Sequence, residues 1–271
     1  MESLHFTNDD AQKMLKDSQV RHFGTHIAFL NAHNGFRRGS LHVLMGTSGS
    51  GKTTLVRSIL KDFFDRPENN KFSLSLWLSE ESIKDYKMQL AYSITNRDSL
   101  LRGFIISEQD SPELSEDHFF QRFEEMRPDF IILDNVTTSK FYEGKRPNDQ
   151  VTFLHRLKKL TRDINCATLV IAHTAANIFD NQDKLIEMND IRGNKTIVNL
   201  AEFFYIVQKI TTKTNRHLPF IRIKKHRGQE LLGDMYYLEH DKDTRTFKKD
   251  LYINFEKFVE IFKQRAKLSG N

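Results

Sequence analysis

Residues 46–54 read G-T-S-G-S-G-K-T-T, and the spacing Gly46-x4-Gly51-Lys52-Thr53 is suited to holding phosphate. A loop of Gly46, Thr47, Ser48, Gly49, Ser50 and Gly51 can turn its backbone N–H groups inward around phosphate oxygens, because glycine leaves no Cβ in the way. A helix opening at Lys52 aims the positive end of its dipole at the same oxygens. In this pattern Lys52 reaches the β- and γ-phosphates, the Thr53 hydroxyl ligates Mg²⁺, and Thr54 continues the cradle. L-H-V-L-M before the loop and L-V-R-S-I-L after it supply the strand and helix that the pattern requires. ATP with Mg²⁺ is the expected ligand.

Other residues gain meaning from that loop. Asp134 ends the apolar run F-I-I-L-D, where a carboxylate can hold Mg²⁺ through water or merely cap the next turn. Glu80 and Glu81 follow L-W-L-S. Either can orient and deprotonate a water that attacks the γ-phosphate, with Glu81 slightly favoured; equally, they can dress a helix N-terminus capped by Ser79. His173 ends T-L-V-I-A-H, where it can read the γ-phosphate by hydrogen bonding or simply close a strand. Farther on, L-P-F-I-R-I-K-K-H-R alternates. Strand geometry then puts Arg222, Lys224 and His226 on one side and Lys225 and Arg227 together on the other. A guanidinium there suits bidentate phosphate contact, although a solvated basic strand end has the same sequence.

The elements that must position these groups alternate. Strands are expected at Leu41–Met45, Phe72–Leu78, Gly103–Ser107, Phe130–Leu133 and Thr168–Ala172. Helices are expected over Lys52–Phe64, Ser82–Ile94, Ser115–Met126 and Gln150–Asp163. Such alternation means a mostly parallel sheet flanked by helices, an α/β fold. Phe203–Val207, Phe220–Lys224 and Met235–Glu239 follow with short connections and read as an antiparallel extension. A short helix is expected at Asp9–Lys16, capped by Thr7, and an amphipathic helix at Ile253–Lys267. The economical division is an N-terminal arm, 1–25, and one ATPase domain, 26–271.

Composition excludes several classes. The 271 residues carry 41 Lys and Arg against 36 Asp and Glu, a net charge of +5 that is compatible with an anionic partner. One cysteine, Cys166, rules out a disulfide framework and reads as a small buried hydrophobe. No run approaches the roughly 18 apolar residues of a membrane span, and the N-terminus lacks the apolar core of a signal peptide. A cytoplasmic setting without membrane contact is expected.

In order and approximate spacing, G-T-S-G-S-G-K-T, W-L-S-E-E-S, I-I-L-D and V-I-A-H resemble the RecA-like P-loop ATPases, in particular the branch of DnaB-type replicative helicases and KaiC-type ring ATPases. N-D-I-R-G-N at 189–194 is similar to that branch's DNA-gripping channel loop, and K-H-R-G at 225–228 to its trans-acting finger. The resemblance covers roughly residues 25–245. It implies a homo-oligomer, a hexameric ring, with nucleotide sites at subunit interfaces. Lys225 and Arg227 would reach the neighbour's γ-phosphate, and Arg192, Gly193 and Lys195 would grip single-stranded DNA. It further implies helicase or translocase action with replication or recombination proteins as partners. Two departures stand out: about 35 residues precede the first strand, too few for the branch's usual N-terminal domain, and Asn194 stands where Ser or Gly is usual.

A second segment suits DNA on chemical grounds. N-V-T-T-S-K-F-Y-E-G-K-R-P-N-D interleaves Lys140, Lys145 and Arg146 with Phe141 and Tyr142, as a loop that pairs phosphates and stacks bases would, or as a mobile solvated loop would. Two other functions stay open: a regulatory or recombination-type ATPase whose nucleotide state gates assembly with a protein, and a small-molecule kinase using 175–197 as a lid.

Overall fold

The computed structural model describes residues 35–95, 103–175, 185–211, 217–227 and 235–253, with Asp9, Thr25, Ile27, Phe29 and Leu30. The strands are β1 Ser40–Gly46, β2 Leu74–Leu78, β3 Gly103–Ser107, β4 Phe130–Asp134, β5 Ala167–His173, β6 Phe203–Thr211, β7 His217–His226, β8 Met235–Asp241 and β9 Thr246–Ile253. Among the described residues the bounded α-helices are α1 Lys52–Asp65, α2 Ile83–Ala91, α3 Glu116–Met126, α4 Pro147–Asp163 and α5 Thr196–Leu200. They build one nine-stranded sheet in the order β3-β2-β4-β5-β1-β6-β7-β8-β9. From β3 through β6 every pairing is parallel; β7, β8 and β9 add antiparallel strands.

Alternation along the strands feeds two cores. Leu41, Val43 and Met45 of β1 join Ile131 and Leu133 of β4 under α3 and α4, where Phe119, Phe123, Phe153 and Leu157 close the layer. Leu44, Phe130 and Ile132 face the opposite side, under Leu55, Val56 and Ile59 of α1 and Tyr86 and Leu90 of α2. Helix boundaries follow local chemistry. Ser115 caps α3 by accepting from the His118 N–H, with Glu116 and Asp117 in the first turn. α1 stops before Arg66-Pro67, because the residue before a proline is disfavoured in the helical region. α4 starts one turn earlier than expected, at Pro147, since a proline at the first helical position forfeits no helical hydrogen bond.

Several expectations need correction. Ser82, not Ser79, caps α2, through the Asp85 N–H. The alternation of β7 is broken: Phe204 pairs with Lys225 but Tyr205 with Ile223, a bulge at Lys224. Partners across a strand pair share a face, so Arg222 (opposite Ile206) and His226 (opposite Phe203) point to opposite sides, not the same one. β9 was not foreseen, and it claims Ile253 from the expected terminal helix. The remainder of that helix and all but Asp9 of the Asp9–Lys16 helix lie outside the described residues.

Candidate functional site

The phosphate loop leaves β1 at Gly46, where a Cβ would overlap the Val207 carbonyl oxygen of β6; only glycine lets the loop lie this close. Gly51 opens α1 at φ +108, and its Cβ would sit 3.2 Å from the Phe247 ring. No side chain caps α1 and no acid stands in its first turn, so among the described residues its leading N–H groups have no protein acceptor at that end. The Ser50 hydroxyl is buried without a partner among the described residues. Lys52 lies in this cradle, its Nζ 3.0 Å from the Gly46 carbonyl oxygen and 2.8 Å from that of Thr47. Burial pulls its ammonium down to about 8, against the opposing pull of Asp134 and Glu80. A glycine-lined, cation-bearing loop with an orphaned hydroxyl and free helix N–H groups fits a phosphate chain. Thr53 and Thr54 are half-exposed at its mouth.

Carboxylates face the loop from the next strands. Burial pushes the Asp134 carboxyl up to about 7; Lys52 opposes the rise, and Glu81 and Glu80 add to it. Among the described residues these carboxylates form no ready-made metal cluster, so a divalent cation here would need oxygens of a bound phosphate chain as well. Glu81 is also raised by burial, against Arg57 and a 3.0 Å bond from Gln89 Nε2. Glu80 instead takes a 3.1 Å bond from Asn135 Nδ2, and the same nitrogen lies 3.1 Å from His173 Nε2. Burial pulls the His173 imidazole down to about 4, with the Lys52 charge helping and Glu80 resisting. Ser79, displaced from the capping role, accepts from the Asn135 N–H at 3.0 Å and meets Thr138 Oγ1 at 2.7 Å. The structure thus brings Lys52, Asp134, Glu80, Glu81 and His173 together at the carboxyl ends of β1, β2, β4 and β5.

Sequence reasoning missed three residues here. Asn135 carries no distinctive signal in the sequence, because an amide after a strand-end acid has the composition of a turn. Arg57, one turn into α1 beyond Thr54, and Gln89 of α2 line an open cavity of about 470 Å³ with His240, Lys242 and Arg245. The two arginines and the lysine there are scattered in sequence, and only the β8–β9 turn brings Lys242 and Arg245 to Arg57. Cys166 behaves as expected, fully buried, with burial pushing its thiol up to about 11.

The two basic segments form one patch. Asn194 accepts and donates at the Tyr142 hydroxyl, and its Nδ2 donates 3.2 Å to the Pro147 carbonyl oxygen. Arg192, Lys195, Lys145 and Arg146 are exposed around that junction, with Arg192 held by Glu143 at 2.6 Å and Arg146 by Asp149 at 2.9 Å. Gly193 sits at φ +88, and a Cβ there would meet the Tyr142 ring at 2.6 Å. The Arg192 N–H donates to the His173 carbonyl oxygen at 2.8 Å, which ties the patch to the phosphate edge. The base-stacking expectation fails for Phe141 and Tyr142: both are buried, Phe141 against Trp77 and Phe119, so neither ring is available to a base. Lys140 is likewise engaged, donating to the Ser111 and Pro112 carbonyls. Nor is 136–142 a free loop; it holds a short 3-10 turn, Val136–Thr138, capped by Asn135.

Lys225 and Arg227 lie at the other end of the sheet. Lys225 Nζ donates to the Val198 and Asn199 carbonyls at 2.9 and 3.3 Å. Arg227 reaches Glu202 at 3.4 Å with its side chain 69% exposed. Glu202 in turn accepts from the Leu41 N–H at 2.8 Å. Leu41 to Gly46 spans five residues of strand, roughly 17 Å at ~3.3 Å per residue.

No protein-family model matches the chain. Among solved structures it is similar to a DnaB-like replicative helicase studied with primase, with a TM-score of 0.70 and 13% identity over 92% of this chain and 68% of that one. The fold is that of the RecA-like P-loop ATPases. At this identity the likeness concerns fold alone. In sequence, the chain is also similar to the zinc import ATP-binding protein ZnuC of Chromohalobacter salexigens, 23% identical over 186 residues that cover 61% of this chain and 75% of that protein. A RecA-like sheet explains why the phosphate loop and its carboxylates converge, since ligands of such sheets gather at the carboxyl ends of the strands. Among the described residues, no helix is long and apolar enough to cross a membrane.

Proposed function

We propose that this chain is a Mg²⁺-dependent ATPase that works as an oligomeric ring, with nucleotide at the seams between copies, and moves along single-stranded DNA. The observation that carries the reading is the placement of Lys225 and Arg227 at the amino end of β1, roughly 17 Å of strand away from the phosphate loop of the same copy. From there they serve only a neighbour's nucleotide. The loop and Lys52 would hold the β- and γ-phosphates, and the cavity beside Thr54 the nucleoside end. Thr53 and Asp134 would hold Mg²⁺, which supplies charge neutralisation at the transferring phosphoryl group. Glu80 is the better placed base: it shares Asn135 with His173 and stands beside Lys52, whereas Glu81 is turned to Gln89 and Arg57. His173 would hydrogen-bond the γ-phosphate. Arg192, Lys195, Lys145 and Arg146 would contact DNA phosphates, exchanging Glu143 and Asp149 for the backbone.

The deciding experiment is sedimentation of the whole chain with and without a non-hydrolysable ATP analogue and an oligonucleotide, alongside ATP turnover. Nucleotide-driven assembly with turnover stimulated by single strands is expected. R192A should weaken strand binding about tenfold and flatten its salt slope by about one. A solitary protomer with full turnover overturns the ring; assembly indifferent to DNA favours the protein-gated ATPase instead.

A further inference from the structure

Asn135 has every polar atom of its side chain and its N–H engaged, and it is only 2% exposed. Its N–H donates to Ser79 Oγ at 3.0 Å. Its Oδ1 accepts from Thr137 Oγ1 at 2.9 Å, from the Thr138 N–H at 2.9 Å and from Thr138 Oγ1 at 2.8 Å. A backbone N–H can only donate, so the Thr138 contact fixes which end of the amide is oxygen. The two hydrogens on Nδ2 then go to Glu80 Oε1 and His173 Nε2, each at 3.1 Å. Since an NH₂ group cannot accept here, the His173 Nε2 must present its lone pair, and the ring proton sits on Nδ1. His173 is held from the other side as well, its N–H donating to Thr137 Oγ1 at 3.2 Å.

We propose that Asn135 is a positioning residue for ATP hydrolysis: a single buried carboxamide, locked by the turn it caps, aims the Glu80 carboxylate and fixes His173 as the tautomer whose free donor is Nδ1–H. The proposal rests on reading this edge as a hydrolytic site. A base and a phosphate reader set by one NH₂ group move together, so loss of that group misplaces both without touching the phosphate loop. Lys52, Glu80 and Arg192 are the charged groups around the imidazole, from α1, the β2 end and the segment after β5. Such misplacement belongs to the transition state more than to ground-state binding, and it therefore appears in kcat.

Two measurements test this. In the unmodified chain without nucleotide, ¹⁵N spectra of labelled histidine, with His173 assigned by its disappearance in H173Q, should show Nε2 unprotonated and Nδ1 protonated. The opposite tautomer overturns the proposal with no variant needed. N135D keeps the oxygen that caps Val136–Thr138 and replaces the NH₂ donor with a charged acceptor oxygen facing Glu80 and His173. It should lower kcat at least tenfold, by more than any loss of affinity for a non-hydrolysable ATP analogue, and the His173 ring proton should move to Nε2, where it can donate to the new oxygen. Unchanged kcat, or equal loss of affinity and kcat, overturns it. Because the ring is read without nucleotide, failure of the ATPase reading and failure of this one give different results.

Discussion

The two ends of the sheet treat charge in opposite ways. At the carboxyl end, Lys52, Asp134 and Glu81 are partly desolvated and crowded beside the exposed Glu80, yet none of the four is in an ion pair within 4 Å among the described residues. At the amino end, Lys158 and Glu202 are 7% and 8% exposed and closed on each other, with the Leu41 N–H filling a Glu202 oxygen. The first arrangement is costly in isolation, which the proposed nucleotide and its cation would relieve. The second satisfies itself and leaves Arg227 as a surplus cation turned outward. On the proposed function, one end receives a ligand and the other presents a residue. K52A breaks the receiving end outright: analogue binding should drop steeply and turnover fall to background, a loss of about 10³-fold or more in an ATPase assay. R227A breaks only the presenting end. It should leave analogue affinity within about twofold and lower turnover about 10³-fold at concentrations where copies assemble. Loss of affinity in an isolated R227A protomer would put the finger in cis and end the distinction between the two ends.

What the sequence made legible follows from how each feature is encoded. The phosphate loop is encoded locally, glycines and lysine at fixed offsets between a strand and a helix, and Phe130–Leu133 is a buried parallel strand, which reads as a continuous apolar run. Long-range pairing is not encoded that way. Whether Phe141 and Tyr142 face out or in depends on the ring cluster of Trp77, Phe119 and Phe153, which lies up to 65 residues away in the chain. The bulge at Lys224 leaves no trace in an alternating pattern, because the extra residue is itself a lysine among lysines. β9, T-F-K-K-D-L-Y-I, carries three charges in mid-run and finds its place only by pairing with β8. Two serines three apart, Ser79 and Ser82, each precede an acid or a helix; Thr138, from another strand's turn, takes the first and leaves the second to cap.

A stability measurement sharpens the contrast at the presenting end. E202Q keeps an acceptor for the Leu41 N–H but strands Lys158 as a buried unpaired charge. Denaturant unfolding should show a loss of about 3 kcal/mol, largely recovered when Lys158 is replaced by methionine in the same chain. An E202Q protein as stable as the parent would mean that the pair is solvated and the amino end is not self-satisfied.

The smallest effect tests the receiving end by its sign. Asp134 is raised to about 7 in the fold from 3.8, so its contribution is fully present below pH ~4 and is lost as pH rises through about 7, where the buried carboxyl ionises. Lys52 is lowered to about 8 from 10.5, so its contribution is present above pH ~10.5 and is lost as pH falls through about 8. Between pH 7 and 8 both groups are charged and both are at their most costly. D134N removes the first of these costs: without nucleotide it should stabilise the chain by about 1–2 kcal/mol at pH 8, and the gain should vanish by about pH 4. With Mg²⁺ and an ATP analogue added the sign should reverse, because the wild-type carboxylate then has a cation to hold and the amide does not. A D134N protein less stable than wild type at pH 8 in the absence of ligand would show that Asp134 is already satisfied by the fold. The receiving end would then resemble the presenting end, and the contrast between them would be lost.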